Sequence, residues 1–259
     1  RPHILPEDLL RKYSRGSRWW TGKQTELEEW CQEFIATNEL DPRLTPADAL
    51  DEMRLLIDSQ SDKANEIAAG LRRPYSVFPL HYHELEVMLL GHLGPLHQMA
   101  QLFQYQSLIG ILDSARTVDI EGLGLAFQMA RSIESDQILI SALVQRASID
   151  ISISVVKDGL WHRRFSVEQI TRIEEWLSMF DMLKRAERAL EAERTFCLEY
   201  IEKLRASTAY RMGLYLSETG LKRFNRITRI APAGWFDQNK ASYARMMRTV
   251  VLPLVDADR

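Results

Sequence analysis

Residues that break helices are scarce in this sequence, which has 12 glycines and 9 prolines among 259 residues. In the long segments between them, apolar residues recur at intervals of three and four, the period of an α-helix, and not at the interval of two that marks a strand. Hydrophobic residues make up 46% of the chain, which is enough for a sizeable core and argues against disorder. The pattern therefore predicts an all-α globular protein.

Cysteine is almost absent, and neither sign of charge is in large excess. Cys31 and Cys197 cannot build a disulfide framework, and both lie in amphipathic patterns where we expect buried thiols. With 33 basic and 36 acidic residues the formal charge is −3, so no overall field attracts nucleic acid or anionic lipid. We therefore expect no nucleic-acid partner.

Long apolar runs are also missing. Runs such as Val87 to Leu90 and Thr249 to Val255 fall far short of the roughly 20 residues that span a bilayer, so we expect no membrane span within this segment. The sequence begins with Arg1 instead of Met, which indicates that a preceding segment was processed or lies outside the sequence. A signal or anchor before Arg1 would tether the protein in the cell envelope.

Common catalytic motifs are missing too. The sequence contains no Walker loop, no Gly-x-Ser-x-Gly elbow, no His-Glu-x-x-His, no Cys-x-x-Cys and no Gly-x-Gly-x-x-Gly after a strand. This favours a non-enzymatic role over an enzymatic one.

Two helix starts carry capping signals. Thr45, followed by Pro46 and Asp48, predicts a helix that runs to about residue 60. Ser166 and Gln169 form a capping box at the start of the longest periodic segment. One apolar stripe continues from there for about 40 residues, or about 55 Å at 1.5 Å per residue, and predicts a single long helix at about 166–205.

Further helical patterns cover 62–71, 83–117 with a break at Gly94-Pro95, 119–133, 207–219 and 235–250, and one that Ser135 caps and that ends at about Gly159. We predict that residues 1–44 form an N-terminal arm and first helix packed on the body, and that 45–259 form one continuous helical domain. Short connections force neighbouring helices to lie antiparallel. The predicted architecture is therefore a set of stacked helical hairpins, as a short α-solenoid or an irregular bundle around the long helix.

One part of this pattern resembles a tetratricopeptide-type hairpin. From Leu96 to Arg131 it has a helix, a tight turn at 118–122 and a second helix with Leu123, Phe127 and Ala130 at the expected intervals. We expect repeat-like packing of these two helices.

A wider resemblance covers 101–196 and the C-terminal region. It rests on short clusters of residues along these segments: Ala115-Arg116, Ala126-Phe127, Ala130-Arg131, the segment 139–144, Asp181, Glu193-Arg194, the segment 234–240 and Tyr243. In these the chain is similar to a family of bacterial helical-repeat-like proteins, which usually carry an N-terminal membrane anchor and have no known activity. The resemblance implies a helical fold and membrane tethering, and it implies no catalytic residues.

Histidine is unevenly distributed. Four of the six histidines fall within 17 residues, with Glu84 and Glu86 nearby: His81, His83, His92 and His97. Imidazole and carboxylate groups can hold zinc or another divalent metal if the break at Gly94-Pro95 folds the two pairs together. Polar loop positions and helix caps are the alternative interpretation, in which no cofactor is bound.

Charged residues also fall on or beside apolar stripes. Glu193 and Arg194 lie between two apolar positions of the long predicted helix, and Arg146 and Asp150 are spaced four apart on the preceding one. One hypothesis is a structural network of ion pairs. The other is a polar pocket for a small anionic ligand, with Arg146 and Arg194 as its anchors.

Aromatic residues concentrate in the less regular segments. Trp19, Trp20, Trp235 and Phe236 would form a protein-binding surface if they were exposed on one face, because aromatic residues dominate interface hot spots. The sequence thus favours a scaffold domain that binds a protein partner. The alternative is a helical ligand-binding or metal-binding protein or enzyme.

Overall fold

The computed structural model describes residues 43–73, 75–82, 90–113, 118–207 and 231–256, and these contain helices and no strand. The all-α prediction is confirmed for them. The arm predicted within residues 1–44 lies outside the described residues except for its last two positions. A stacked solenoid stays a prediction.

Two short helices come first. Helix α1 (Pro46–Asp58) begins at the predicted Thr45 cap. The cap is a full capping box, in which the Thr45 hydroxyl accepts from the backbone N–H of Asp48 and the Asp48 carboxylate accepts from the backbone N–H of Thr45. Helix α2 (Ser61–Leu71) begins after a two-residue turn. Local capping chemistry therefore fixes where α1 starts.

Helices α3 (Leu93–Leu112) and α4 (Glu121–Ser132) form an antiparallel hairpin. Helix α3 starts directly after His92, as the predicted break requires, and Pro95 lies in its first turn, where a missing N–H loses no helical bond. A Cβ at Gly122 would lie 2.7 Å from the Phe103 carbonyl oxygen, so the two helices approach more closely than a larger residue would allow.

Helix α5 (Leu139–Trp161) is the second longest of the described helices, with 23 residues. The predicted cap is wrong, because the Ser135 hydroxyl donates to the Ser76 carbonyl oxygen and the helix begins four residues later. After its C-terminus, Arg163 has a positive φ of 51° and Arg164 donates to the carbonyl oxygens of Gly110 and Asp113 at the end of α3. Arg164 thus satisfies carbonyl groups that the last turn of α3 leaves open.

The predicted helix at 166–205 is helical over most of its length, but it is two helices and not one. Helix α6 (Val167–Ser178) begins at the predicted capping box, and α7 (Met182–Ala206) begins after a break in which the Asp181 carboxylate accepts from the backbone N–H of Lys184. The side-chain oxygen of Asp181 competes for this amide and starts a new helix.

The last described helix is α8 (Ala233–Met246), which continues as a π turn (Met247–Val251) and a short 3₁₀ helix (Leu252–Leu254). The predicted helix at 207–219 lies outside the described residues except for its first position. The described chain divides into two compact units. The first contains α1 to α6, and the second contains α7, α8 and the C-terminal turns, with residues 137–139 grouped with the second.

Candidate functional site

A line of polar side chains runs between α3 and α5 in the first unit. We call it the polar seam, and it consists of His92, His97, Gln101, Gln104, Asp136, Ser141, Ser148 and Ser152. Residue numbers increase in the same direction along both sides of the seam, so α3 and α5 run parallel to each other. Helix α4, which comes between them in the sequence, runs antiparallel to α3. Most members of the seam are among the polar residues that are buried in this otherwise apolar core.

Asp136 anchors one end of the polar seam. Its side chain is only 2% exposed, and its Oδ2 atom lies 2.7 Å from His92 Nε2 and accepts from the Ser141 hydroxyl at 3.1 Å. The His92 ring also stacks on Phe78, with ring centroids 4.2 Å apart. A buried carboxylate needs such partners, because leaving it without them costs several kcal/mol.

His97 lies in the middle of the polar seam. Its Nε2 atom is 3.3 Å from the Gln101 amide nitrogen, which can only donate, so the neutral ring carries its proton on Nδ1 and donates to Ser148 Oγ at 2.9 Å. Burial lowers the pKa of His97 below its ordinary value, which keeps the ring neutral. Ser148 accepts this hydrogen bond and is itself buried, an arrangement opposite to that of a serine activated by a basic histidine.

The histidines of the predicted metal site have separate surroundings. His81 is exposed, His92 bonds Asp136, His97 bonds Ser148, and His83 lies outside the described residues. Within the described part of the chain no group of three or more histidine, cysteine or acidic side chains has the geometry of a metal site. The metal cofactor stays a prediction.

The other side of α5 is partly apolar and exposed. We call it the outer surface of α5, and it consists of Ile140, Leu143, Arg146, Asp150, Lys157, Leu160 and Trp161. Arg146 and Asp150 form the predicted ion pair, with both carboxylate oxygens within 2.9 Å of Nε. This pair is on the surface, and its role as a ligand anchor stays a prediction.

Helix α5 is long and apolar enough, by length and composition, to cross a membrane, and it is the one such helix in the described part of the chain. We expected no span because the sequence has no long uninterrupted apolar run. Helix α5 is apolar enough on average in spite of the polar residues interspersed along it. Core helices of soluble proteins meet the same criterion, so this is weak evidence for a span. Of its most apolar stretch, 44% is buried inside the protein, against α3 in part.

In the second unit, ion pairs join α7 and α8 in antiparallel register. Arg205 contacts Asp237 at 2.7 Å, and one turn further Lys240 contacts Glu202 at 2.9 Å. The hydrogen bond from Lys240, with help from Arg205, lowers the pKa of Glu202. Continuing this register toward the start of α7 brings Arg194 beside Arg248.

A groove of about 640 Å³ lies along this helix pair. Three arginines and three small or apolar residues are among the side chains that line it, and we name these two groups separately. The arginine cluster is Arg194, Arg245 and Arg248, and the apolar floor is Leu198, Ala241 and Ala244. Thr195, Glu199, Glu202 and Lys240 complete the lining. Of the predicted ligand anchors, Arg194 therefore does line a cavity.

Glu193 lies on another side of α7. Its carboxylate accepts from the Cys197 thiol at 3.8 Å, and Cys197 is a half-buried free cysteine. Burial, and then the hydrogen bond with Cys197, raises the pKa of Tyr243 well above its usual range. Glu193 thus takes part in an internal contact with Cys197, next to Tyr243, and does not line the groove.

The predicted aromatic surface needs correction at Phe236. This ring is only 1% exposed and packs edge-on against Trp235, with ring centroids 5.1 Å apart, so it serves the core of the second unit and is not available to a partner. Trp235 is half-buried, and Trp19 and Trp20 lie outside the described residues.

Sequence reasoning missed two of the three arginines in the groove. Ala241, Ala244, Arg245 and Arg248 recur at intervals of three, one and three, which places them on one face of a helix. Small residues next to basic ones on one helix face are a signal for a groove with cationic sides. We attended to the histidines and aromatic residues of the sequence and did not use this signal.

Comparison of the chain with protein-family models, curated proteins and solved structures finds no match. Any assignment of function therefore depends on the surfaces of the chain itself.

Proposed function

We propose that this protein is a non-enzymatic interaction domain that binds a partner protein through the outer surface of α5. The observation that carries the proposal is the exposure of large apolar side chains on this helix, with Leu143 55% and Trp161 61% exposed. A helix that is apolar all round is normally buried, and here one side of it faces outward.

The outward side is not needed for the core. Ten residues on the opposite side of α5 are already buried, among them Ala142, Ile149 and Val155. An exposed tryptophan beside aliphatic residues is typical of the residues that contribute most to binding in a protein interface. Leu143 and Trp161 are 18 positions apart, or about 27 Å along the helix. A specific interface of about 800 Å² per partner has a similar width.

Charge favours a protein partner over a lipid bilayer. Arg146 and Asp150 lie between the two apolar ends of the outer surface, and Lys157 comes after them. Charged groups in the hydrocarbon of a bilayer are costly, whereas a protein interface accommodates polar groups and their hydrogen bonds. A partner with apolar side chains at both ends of its contact and polar groups between them fits this surface.

Site-specific photo-crosslinking in the natural host tests the proposal. A photoreactive amino acid replaces Leu143 or Trp161, and the control replaces Leu55 on α1, which is 66% exposed but isolated on another helix. We expect a discrete protein adduct from both α5 positions and none from position 55. Leu143→Glu should abolish the adduct that forms from position 161.

Two results would contradict the proposal. Adducts with lipid, or with the same proteins from all three positions, would show that the outer surface of α5 has no specific protein partner. Circular dichroism of each variant checks that the helical content is unchanged.

A further inference from the structure

We infer that the groove between α7 and α8 binds a small soluble organic phosphate. The arginine cluster would hold the phosphate group, and the apolar floor would contact the organic part. This site belongs to the second unit and is independent of the interaction proposed for α5.

The charges at the two ends of the groove differ in how they are satisfied. At one end Glu202 is paired with Lys240 and Arg205, and Arg205 is also paired with Asp237. At the other end the arginine cluster forms no ion pair with any carboxylate among the described residues. Glu199 lines the same groove but forms no ion pair with the cluster. Three cationic groups thus face one space with a single unpaired carboxylate nearby.

The chemistry of the cluster favours phosphate over carboxylate. Guanidinium groups present several N–H donors in a planar fork that matches the oxygens of an oxyanion, and they remain charged at any physiological pH. A phosphate monoester carries three terminal oxygens and close to two negative charges, whereas a carboxylate carries two oxygens and one charge. Three arginines can therefore engage all terminal oxygens of a phosphate.

The size and floor of the groove favour an organic ligand. Its volume of about 640 Å³ lies within the roughly 300–1,000 Å³ typical of small-molecule sites. Inorganic phosphate alone would leave most of that space to water. The apolar floor, with two alanines on α8, leaves room for a flat or aliphatic body next to the bound phosphate.

Isothermal titration calorimetry with phenyl phosphate tests the inference. We expect saturable binding at one site per chain, with at least about tenfold weaker binding of benzoate and of inorganic phosphate. Arg194→Gln and Arg248→Gln should each weaken phenyl phosphate about tenfold or more, because each removes charge-assisted hydrogen bonds. The matched control is Arg188→Gln on the exposed part of α7 outside the groove, and it should change the affinity less than twofold.

Several results would overturn the inference. These are the absence of saturable phenyl phosphate binding, an equal loss in the Arg188→Gln control, and recruitment to vesicles of phosphatidic acid without affinity for phenyl phosphate. If a variant does not fold, nuclear magnetic resonance of the wild-type chain decides the question. Phenyl phosphate should then shift the side-chain Nε–H signals of the arginine cluster and leave that of Arg188 in place, and the reverse pattern rejects the site.

Discussion

The polar seam of the first unit and the groove of the second place polar side chains on packed helices in opposite ways. In the seam, Asp136, His97 and Gln104 each meet a partner on a neighbouring element, and their closest contacts are 2.7 to 2.9 Å long. In the groove, the arginine cluster lines an open space and forms no ion pair with a described carboxylate. Polar groups that satisfy one another hold a fold together, and those left unsatisfied next to a cavity are available to a ligand.

The two regions also differ in what surrounds the polar groups. Helices α3 and α5 are apolar, and 11 and 10 of their residues are buried, so a polar contact between them is shielded from water. Only three residues of α7 are buried, namely Arg185, Ala189 and Leu204, and none of them lines the groove. Removing a partner should therefore be costly in the seam and cheap on the surface.

The largest effect is expected at Asp136. Asp136→Ala should lower the free energy of unfolding by about 3 kcal/mol, because it leaves the His92 ring and the Ser141 hydroxyl without their buried acceptor. The matched variant Asp150→Ala breaks an exposed ion pair and should cost less than about 1 kcal/mol. Urea denaturation followed by circular dichroism measures both.

A similar loss in the two aspartate variants would break the comparison between seam and surface. It would mean that water reaches Asp136 and replaces its partners. The Asp136→Ala variant should also leave phenyl phosphate binding unchanged under conditions in which it is folded, because the groove lies in the other unit.

A smaller effect is expected where α4 approaches α3. Gly122→Ala should destabilise the protein by about 2 kcal/mol, because the new Cβ would lie 2.7 Å from a backbone oxygen that cannot turn away. Gly70→Ala on α2 meets nothing within 4 Å and should stabilise it by about 0.5 kcal/mol, since glycine is a poor helix former. Thermal unfolding of both variants measures the difference in sign, and a stabilising Gly122→Ala would show that the hairpin can separate.

Local sequence signals predicted the positions of the helices. They missed the break between α6 and α7, which is caused by a side-chain cap that competes with helix continuation. Capping chemistry at Thr45 and Ser166 operates within four residues, so the sequence alone located these starts. The break between α6 and α7 contains neither glycine nor proline, and the apolar stripe continues through Phe180, which packs on Phe127. Asp181 was the one residue that could have indicated this break. An aspartate in the middle of a helical pattern more often points into solvent than caps a new helix.

Site residues whose partners lie far away in the sequence were predicted without those partners. His92 meets Asp136, 44 positions away, and His97 meets Ser148, 51 positions away, so the histidine cluster in sequence is separated in space by partners that only the packing reveals. Arg146 and Asp150 were predicted as a pair because both lie on one helix turn. Arg194 was predicted as a site residue from its position beside the apolar stripe of the long helix. Arg245 and Arg248, its neighbours in the groove, lie in another part of the chain, so that stripe could not reveal them.

The smallest and most specific effect is expected from the titration of His97. Its pKa in the folded state is lowered from the ordinary value of 6.5 by burial, whereas in the unfolded chain the ring is solvated. The unfolded state therefore binds a proton first as the pH falls. The contribution of His97 to stability is fully present above about pH 6.5 and is lost progressively as the pH falls through the folded pKa.

Replacement of this ring isolates its share of the pH dependence and refines the contrast between the buried seam and the open groove. In His97→Asn, an amide N–H can replace Nδ1–H as the donor to Ser148, while the proton-binding ring is gone. The free energy of unfolding of the wild type, minus that of the variant, should decrease between pH 7.5 and pH 5. A folded-state midpoint at or above pH 6.5 in the nuclear magnetic resonance titration of His97 would mean that water reaches the ring and that the polar seam is open at its centre.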